Sequence, residues 1–270
     1  MSRIKLGVRS WSFRMYLPDG GMTGEPFMRT AAEMGLEGVE ILARHFPDME
    51  EETAKRYQRY ARHLGIRIEA YALENDYAFP DAAVRQGELE NTYHWIRLAA
   101  ASGVPYLKIF TGDTDPAASY EEQRGWVIQC LKKAADYAQA YGVTILVENH
   151  SPICFTYPEL RDLVLEVNHP SLRACPDMYN FSKYKAEPVV YEAARELIPL
   201  SPFGHLQFFE MDETGRELHM DMEKLIGIYE ELGYDGFLML EWEGNSDPIP
   251  ATKLQADYIR SILNRLEQKA

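Results

Sequence analysis

Eight short apolar runs alternate along the chain with longer segments of helical spacing, and this alternation restricts the fold more than any other feature. The runs read as strands over residues 4–10, 38–42, 66–72, 106–110, 143–148, 172–175, 203–208 and 236–241. Between them, residues 51–64, 84–102, 120–141 and 220–232 carry amphipathic helical periodicity, and the Ala-rich stretches 96–101 and 132–140 have high helix propensity. Gly35, Gly65, Gly103, Gly142 and Gly233 stand just ahead of strands, where the end of a helix favours a residue in the left-handed region. A strand and a helix every ~34 residues, eight times over, is the repeat of a (β/α)8 barrel, and such barrels run to about 250 residues. The competing architecture, a doubly wound open sheet, needs no eighth strand and usually carries a glycine fingerprint after strand one. GVRSWSFR contains none. The expected fold is α/β, a single (β/α)8 TIM barrel, with residues 1–270 as one domain because no linker or composition shift divides them.

Composition narrows the partners. Hydrophobic residues at 46% and charged residues at 26% are ordinary for a globular chain and exclude disorder. Lys and Arg total 28 against 42 Asp and Glu, a net charge of −14, with no basic stripe. Neither nucleic acid nor an anionic membrane surface is an expected partner. Three scattered cysteines, Cys130, Cys154 and Cys175, read as reduced thiols. No apolar leader-like core follows the N-terminus and no run approaches the ~18 apolar residues that span a bilayer, so a cytoplasmic location is expected. Association of like copies stays open.

In a barrel the functional groups sit at the C-terminal ends of the strands. Several expected strands end in a carboxylate: Glu40 in GVEIL, Glu148 in VTILVE, Asp177 after LRAC, and Glu241 in GFLMLE. Each alone reads equally as a helix cap or a solvated group. Gathered at one rim, they repel one another unless a cation neutralises them, and oxygen-rich ligands suit Mn²⁺, Mg²⁺ or Co²⁺. On strand seven, His205 and Gln207 are two apart and share a face. Lys108, inside YLKIF, either reaches a carboxylate or substrate at the mouth or snorkels on the outer face. His150 is either a general acid or base or a loop residue. Asn75 and Asp76 fall in an active-face loop, Asp76 equally as a turn former. Trp11, Phe13, Tyr71, Phe110, Tyr179 and Trp242 are aromatics near strand ends, of which Trp11 and Trp242 are the candidates for stacking on a sugar.

The segments GVEIL, YLKIFTGD, LVENHS, CPDMYNF, FGHLQFF and LGYDGFLMLEWEG, in this order and spacing, resemble the xylose isomerase-like TIM-barrel family of sugar isomerases and epimerases. The resemblance covers nearly the whole chain. It implies one divalent ion, Mn²⁺ first and Mg²⁺, Co²⁺ or Zn²⁺ after it, held by Glu148, Asp177, Gln207 and Glu241. It also favours places near the substrate for His150, Glu40, His205 and Asn180; the residues themselves add Glu148 and Glu241 as the expected catalytic pair and Lys108, Trp11 and Trp242 as expected substrate contacts. Two positions depart from the family pattern. Strand seven commonly reads H-x-H with the second His as ligand, and here that place is Gln207, with His205 at the first. Ketose 3-epimerases carry a substrate-binding His three residues after the Asp, where this chain has Asn180.

The expected reaction is metal-dependent isomerisation or epimerisation by proton transfer next to a carbonyl. The substrate would be unphosphorylated, because the loops FFEMDETGRE and WEGNSDPIPA are acidic and hold one arginine, Arg216. A dehydratase or lyase acting on a keto-polyol or 3-keto-sugar, and a non-catalytic sugar-binding barrel, are the alternatives. Seven scattered histidines and the acidic charge exclude the multi-metal DNA-repair nucleases of the same superfamily.

Overall fold

Runs rich in Val, Ile, Leu and Phe, buried on both faces, form strands wherever a helix can cover the outer side. The computed structural model describes residues 4–17, 22–182 and 188–269. Its strands are β1 (Lys5–Arg9), β2 (Gly38–Leu42), β3 (Arg67–Ala72), β4 (Tyr106–Ile109), β5 (Thr144–Glu148), β6 (Leu172–Cys175), β7 (Phe203–Phe208) and β8 (Phe237–Trp242). Each boundary falls within one residue of the sequence expectation.

Among the described residues the helices are α1 (Gly24–Glu33), α2 (Glu51–His63), α3 (Ala82–Ser102), α4 (Tyr120–Tyr141), α5 (Tyr157–Val167), α6 (Met178–Ser182), α7 (Pro188–Leu197), α8 (Met222–Glu231) and α9 (Pro248–Lys269). Ser119 and Glu122 close a reciprocal capping box at the start of α4, as Thr156 and Glu159 do for α5. The five glycines expected at helix ends all have positive φ, and Gly103 and Gly142 directly follow the last residues of α3 and α4. A side chain at those positions would be strained, so the sequence stops each helix where the next strand must begin.

The strands form one parallel sheet in the order β6-β5-β4-β3-β2-β1-β8-β7. The two ends of this order meet through an isolated bridge between Asp177 and His205, where His205 N donates to Pro176 O at 3.2 Å. The result is a nearly closed (β/α)8 barrel, as expected. No helix among the described residues is long and apolar enough to cross a membrane.

The lower interior is filled by Ala70, Leu146, Cys175, Phe203, Phe237 and Met239, with Tyr106 packed against them. Gly7 and Gly38 make room for that plug. A Cβ at Gly7 would lie 2.3 Å from Met239 Sδ, and one at Gly38 would lie 2.7 Å from the Phe237 ring. Small residues on β1 and β2 thus accept the large ones of β8, the interdigitation that fills a barrel centre.

Candidate active site

Two residues further along the same strands, the interior changes character. Leu146 gives way to Glu148, Phe203 to His205, Met239 to Glu241 and Gly7 to Arg9, all inward because side chains alternate along a strand. Glu40, Lys108 and Asp177 complete this tier, and every member is buried. A register shift between Val39 and Glu40 against β3 brings Glu40 opposite Ala70, the small residue beside it.

Arg9 lies at the centre of the tier. Its Nη1 is 2.7 Å from Glu241 Oε2 and 3.6 Å from Glu148 Oε1, and its Nε is 3.2 Å from Glu40 Oε1. Lys108 Nζ stands 2.7 Å from Glu148 Oε2. His205 puts Nε2 2.8 Å from Glu40 Oε2 and Nδ1 3.3 Å from Glu148 Oε1. The carboxylates are gathered at one rim, as the sequence implied. The neutralising charge, however, comes in large part from the chain itself, and Arg9 was not among the expected site residues. Its signal was a cation at an inward strand position, the feature that singled out Lys108.

These neighbours set the protonation states. Burial alone would raise Glu148, but Lys108, His205 and Arg9 together hold it well below the usual carboxylate range. Burial is likewise overcome at Glu40 by Arg9 and His205, which bring it down to about 2. At Glu241 burial prevails: despite Arg9, desolvation with the nearby Asp177 pushes it up to about 7. Burial opposes the charge on His205, yet Cys175, Glu40 and Glu148 carry it well above its ordinary value against the pull of Arg9. Two carboxylates in one site are therefore driven apart in proton affinity, the arrangement that separates an acid from a base.

Above the tier opens a cavity of about 300 Å³ lined by Arg9, Glu148, Gln207 and Glu241 on its floor and by Trp11, Arg44, Glu74, Phe110, His150, Asn180 and Glu243 around its wall. Of the expected substrate contacts, Trp11 and Asn180 line it. Trp11 is held by donation of its Nε1–H to Glu243 Oε1 at 2.6 Å. His150 also lines it, stacked on Phe110 at 4.2 Å between ring centroids. Glu243 was not anticipated, although it lies two residues past Glu241 and so shares its side of the strand line.

Other expectations are corrected. Glu40, Lys108 and His205 do not line the cavity: they are completely buried and direct their polar atoms at each other and at Arg9 and Glu148. Trp242 points to the opposite face from Glu241, is 5% exposed, and donates its Nε1–H to Ser246 O. Phe13 and Tyr71 are core residues, packed on Phe27 and on Phe46 and Trp95 respectively. Asn75 donates to Thr92 Oγ1, and Asp76 accepts from Ala78 N, which makes Asp76 a turn former.

For a metal ion, the four expected ligands do not converge as a set. Glu148, Asp177 and His205 each bring a donor atom within 4.8 Å of the others, whereas Glu241 is turned to Arg9. Strand β7 presents its two candidates at different depths, His205 within this trio and Gln207 above it. Gln207 Oε1 is buried with no hydrogen-bond partner among the described residues, which suits an atom meant for a cation. Asp177 is fixed by Asn149, whose amide donates to Asp177 O at 2.9 Å and accepts from Asp177 N at 2.7 Å. Asp177 Oδ1 also accepts from Tyr179 N at 2.9 Å, at the start of α6. The Asn of the ENH segment is thus a positioning residue that spacing alone did not reveal.

This is a (β/α)8 barrel with an ionic tier at the C-terminal mouth of its strands. The chain belongs to the xylose isomerase-like TIM barrel family, whose family model matches residues 28–262. Among curated proteins, it is 36% identical over 75 residues to the C-glycoside deglycosidase alpha subunit of Arthrobacter globiformis, a match covering 25% of this chain and 21% of that one. It is 20% identical to the 3'-dehydrocarminate deglycosidase alpha subunit of a Microbacterium species, over 98% of this chain and 97% of the other. Among solved structures, an L-ribulose 3-epimerase superimposes with a TM-score of 0.80 at 19% identity, over 100% of this chain and 97% of that chain. A 3-keto-D-glucoside 4-epimerase from E. coli gives 0.77 at 16% identity, over 96% and 99%.

Proposed function

We propose that the protein is a divalent-metal-dependent sugar isomerase or epimerase acting on an unphosphorylated sugar or keto-sugar by proton transfer next to a carbonyl. One observation carries this reading: Glu148 and Glu241, from β5 and β8, both reach a single mouth cavity of monosaccharide size, with Trp11 and Phe110 in its wall. The fold likeness to sugar epimerases supports it. Glu148, Asp177 and His205, the last after giving up its proton, would hold the ion, with Gln207 offering its amide oxygen from above. Carboxylate oxygens, an imidazole and an amide suit Mn²⁺, with Mg²⁺, Co²⁺ or Zn²⁺ as substitutes. When bound, the ion polarises the substrate carbonyl and acidifies the neighbouring C–H.

The chain's own groups do the rest. Lys108 and Arg9 fix the two carboxylates from below, one of which takes the proton and the other returns it to a different face or carbon. Trp11 and Phe110 offer apolar faces to a sugar ring, and His150 and Asn180 present polar atoms at the rim. The exposed cation of the cavity wall, Arg44, is paired with Glu74, which leaves little to hold a phosphate.

A second reading is favoured by Asn180, which lines the cavity where ketose 3-epimerases carry a histidine, and by the deglycosidase names of both curated relatives. In it, removal of the proton beside the carbonyl of a 3-keto-glycoside would be followed by cleavage of the bond between the next carbon and the glycosidic oxygen, which leaves with the bonding electrons. Incubation with Mn²⁺ and a panel of ketoses and 3-keto-glucosides in D₂O separates the two. Deuterium beside the carbonyl in an isomer of the substrate supports epimerisation, and release of a fragment supports elimination. No exchange on any panel member sinks both.

A further inference from the structure

The interior of this barrel already holds a cation where the ion is proposed to bind. Arg9 Nη1 faces Glu241 Oε2 at 2.7 Å, His205 Nδ1 at 3.2 Å and Glu148 Oε1 at 3.6 Å, all groups of the expected ligand set or of the trio proposed to hold the ion. The Nε of the same guanidinium faces Glu40, which belongs to neither set. A guanidinium stays protonated in proteins and offers no lone pair, so it cannot become a ligand. A divalent ion drawn to the same carboxylates meets its charge at short range in a poorly screened interior.

From this, we infer that Arg9 is a resident counter-cation that competes with the metal ion: entry of the ion requires Nη1 to release Glu241 and Glu148, while Nε keeps the guanidinium on Glu40. The inference rests on the metal-dependent reading above and adds to it a device that makes affinity a property of β1. It also explains how three buried acids, Glu40, Glu148 and Glu241, are gathered before any ion arrives.

The test is calorimetric titration of MnCl₂ into chelator-treated wild type and Arg9→Met, with thermal melts of each. The variant should bind Mn²⁺ about ten- to a hundredfold more tightly. It should melt lower than wild type without the ion and gain more from its addition. Equal or weaker binding by a folded Arg9→Met overturns the inference while wild-type binding leaves the metal reading intact. No Mn²⁺ binding by either protein at millimolar concentration overturns both.

Should Arg9→Met not fold, wild type labelled with [¹⁵N]arginine is titrated with MgCl₂, the Arg9 side-chain signal being assigned by its loss in Arg9→Lys. A signal that moves in proportion to bound Mg²⁺ supports displacement, and one unmoved at saturation overturns it.

Discussion

The lower and upper halves of the barrel interior are built by the same strands, two residues apart, and are opposites. Below, Leu146, Phe203, Phe237 and Met239 pack without a charge among them. Above, Glu148, His205 and Glu241 on the same strands meet Arg9, Lys108 and Glu40 in a buried ionic network. Hydrocarbon burial stabilises the fold at about 1.5–3 kcal/mol per large side chain. Buried ion pairs give little net stability but become costly when one member is removed. The plug secures the ring, and the charged tier it supports is then free to be arranged for chemistry.

Substitutions on β4 and β5 sharpen this contrast. The largest effect is expected from Glu148→Gln, which should lower turnover about 10²–10⁴-fold. Steady-state assays on the substrate found in the D₂O panel measure it, and unchanged turnover would remove Glu148 from the chemistry. Next, Lys108→Met leaves Glu148 buried without its nearest cation and should destabilise by about 3–5 kcal/mol in urea unfolding. Leu146→Ala, two residues before Glu148, should reduce stability by about 2–5 kcal/mol while leaving Mn²⁺ affinity unchanged. A large loss of metal binding in Leu146→Ala would dissolve the division between the two halves.

The smallest expected effect concerns pH and a residue beside the tier. His45, whose Nδ1 is 2.8 Å from Ser10 Oγ, is pushed down to about 4 by burial, with Arg44 and Arg9 adding to the effect. The unfolded chain takes up this proton near pH 6.5, before the folded one does. Stability from His45 is therefore full above pH 6.5 and is lost as pH falls through about 4, by roughly 1–3 kcal/mol. Unfolding curves of wild type and His45→Asn should diverge over that window and run parallel above it.

The elements were legible because each local signal agreed with its neighbours. Apolar runs, helical periods and stop glycines all point to one repeat, and all eight strands follow it. At the site, their place at the C-terminal ends of strands marked Glu148 and Glu241, and strand alternation turns Trp242 outward once Glu241 faces in. The depth of a residue was harder to read. His205 and Gln207 share a face with Gln207 nearer the C-terminal end, but only the assembled barrel shows where the cavity floor falls between them. Arg9 escaped because its partners come from β2, β5, β7 and β8, which one-dimensional spacing cannot bring together.

The ring of strands has one unlaced join. Between β6 and β7, the strand pairing among the described residues is the single bridge of Asp177 and His205, while Cys175 and Phe203 pack together below it. An ion held by both residues, as proposed above, would bridge that join.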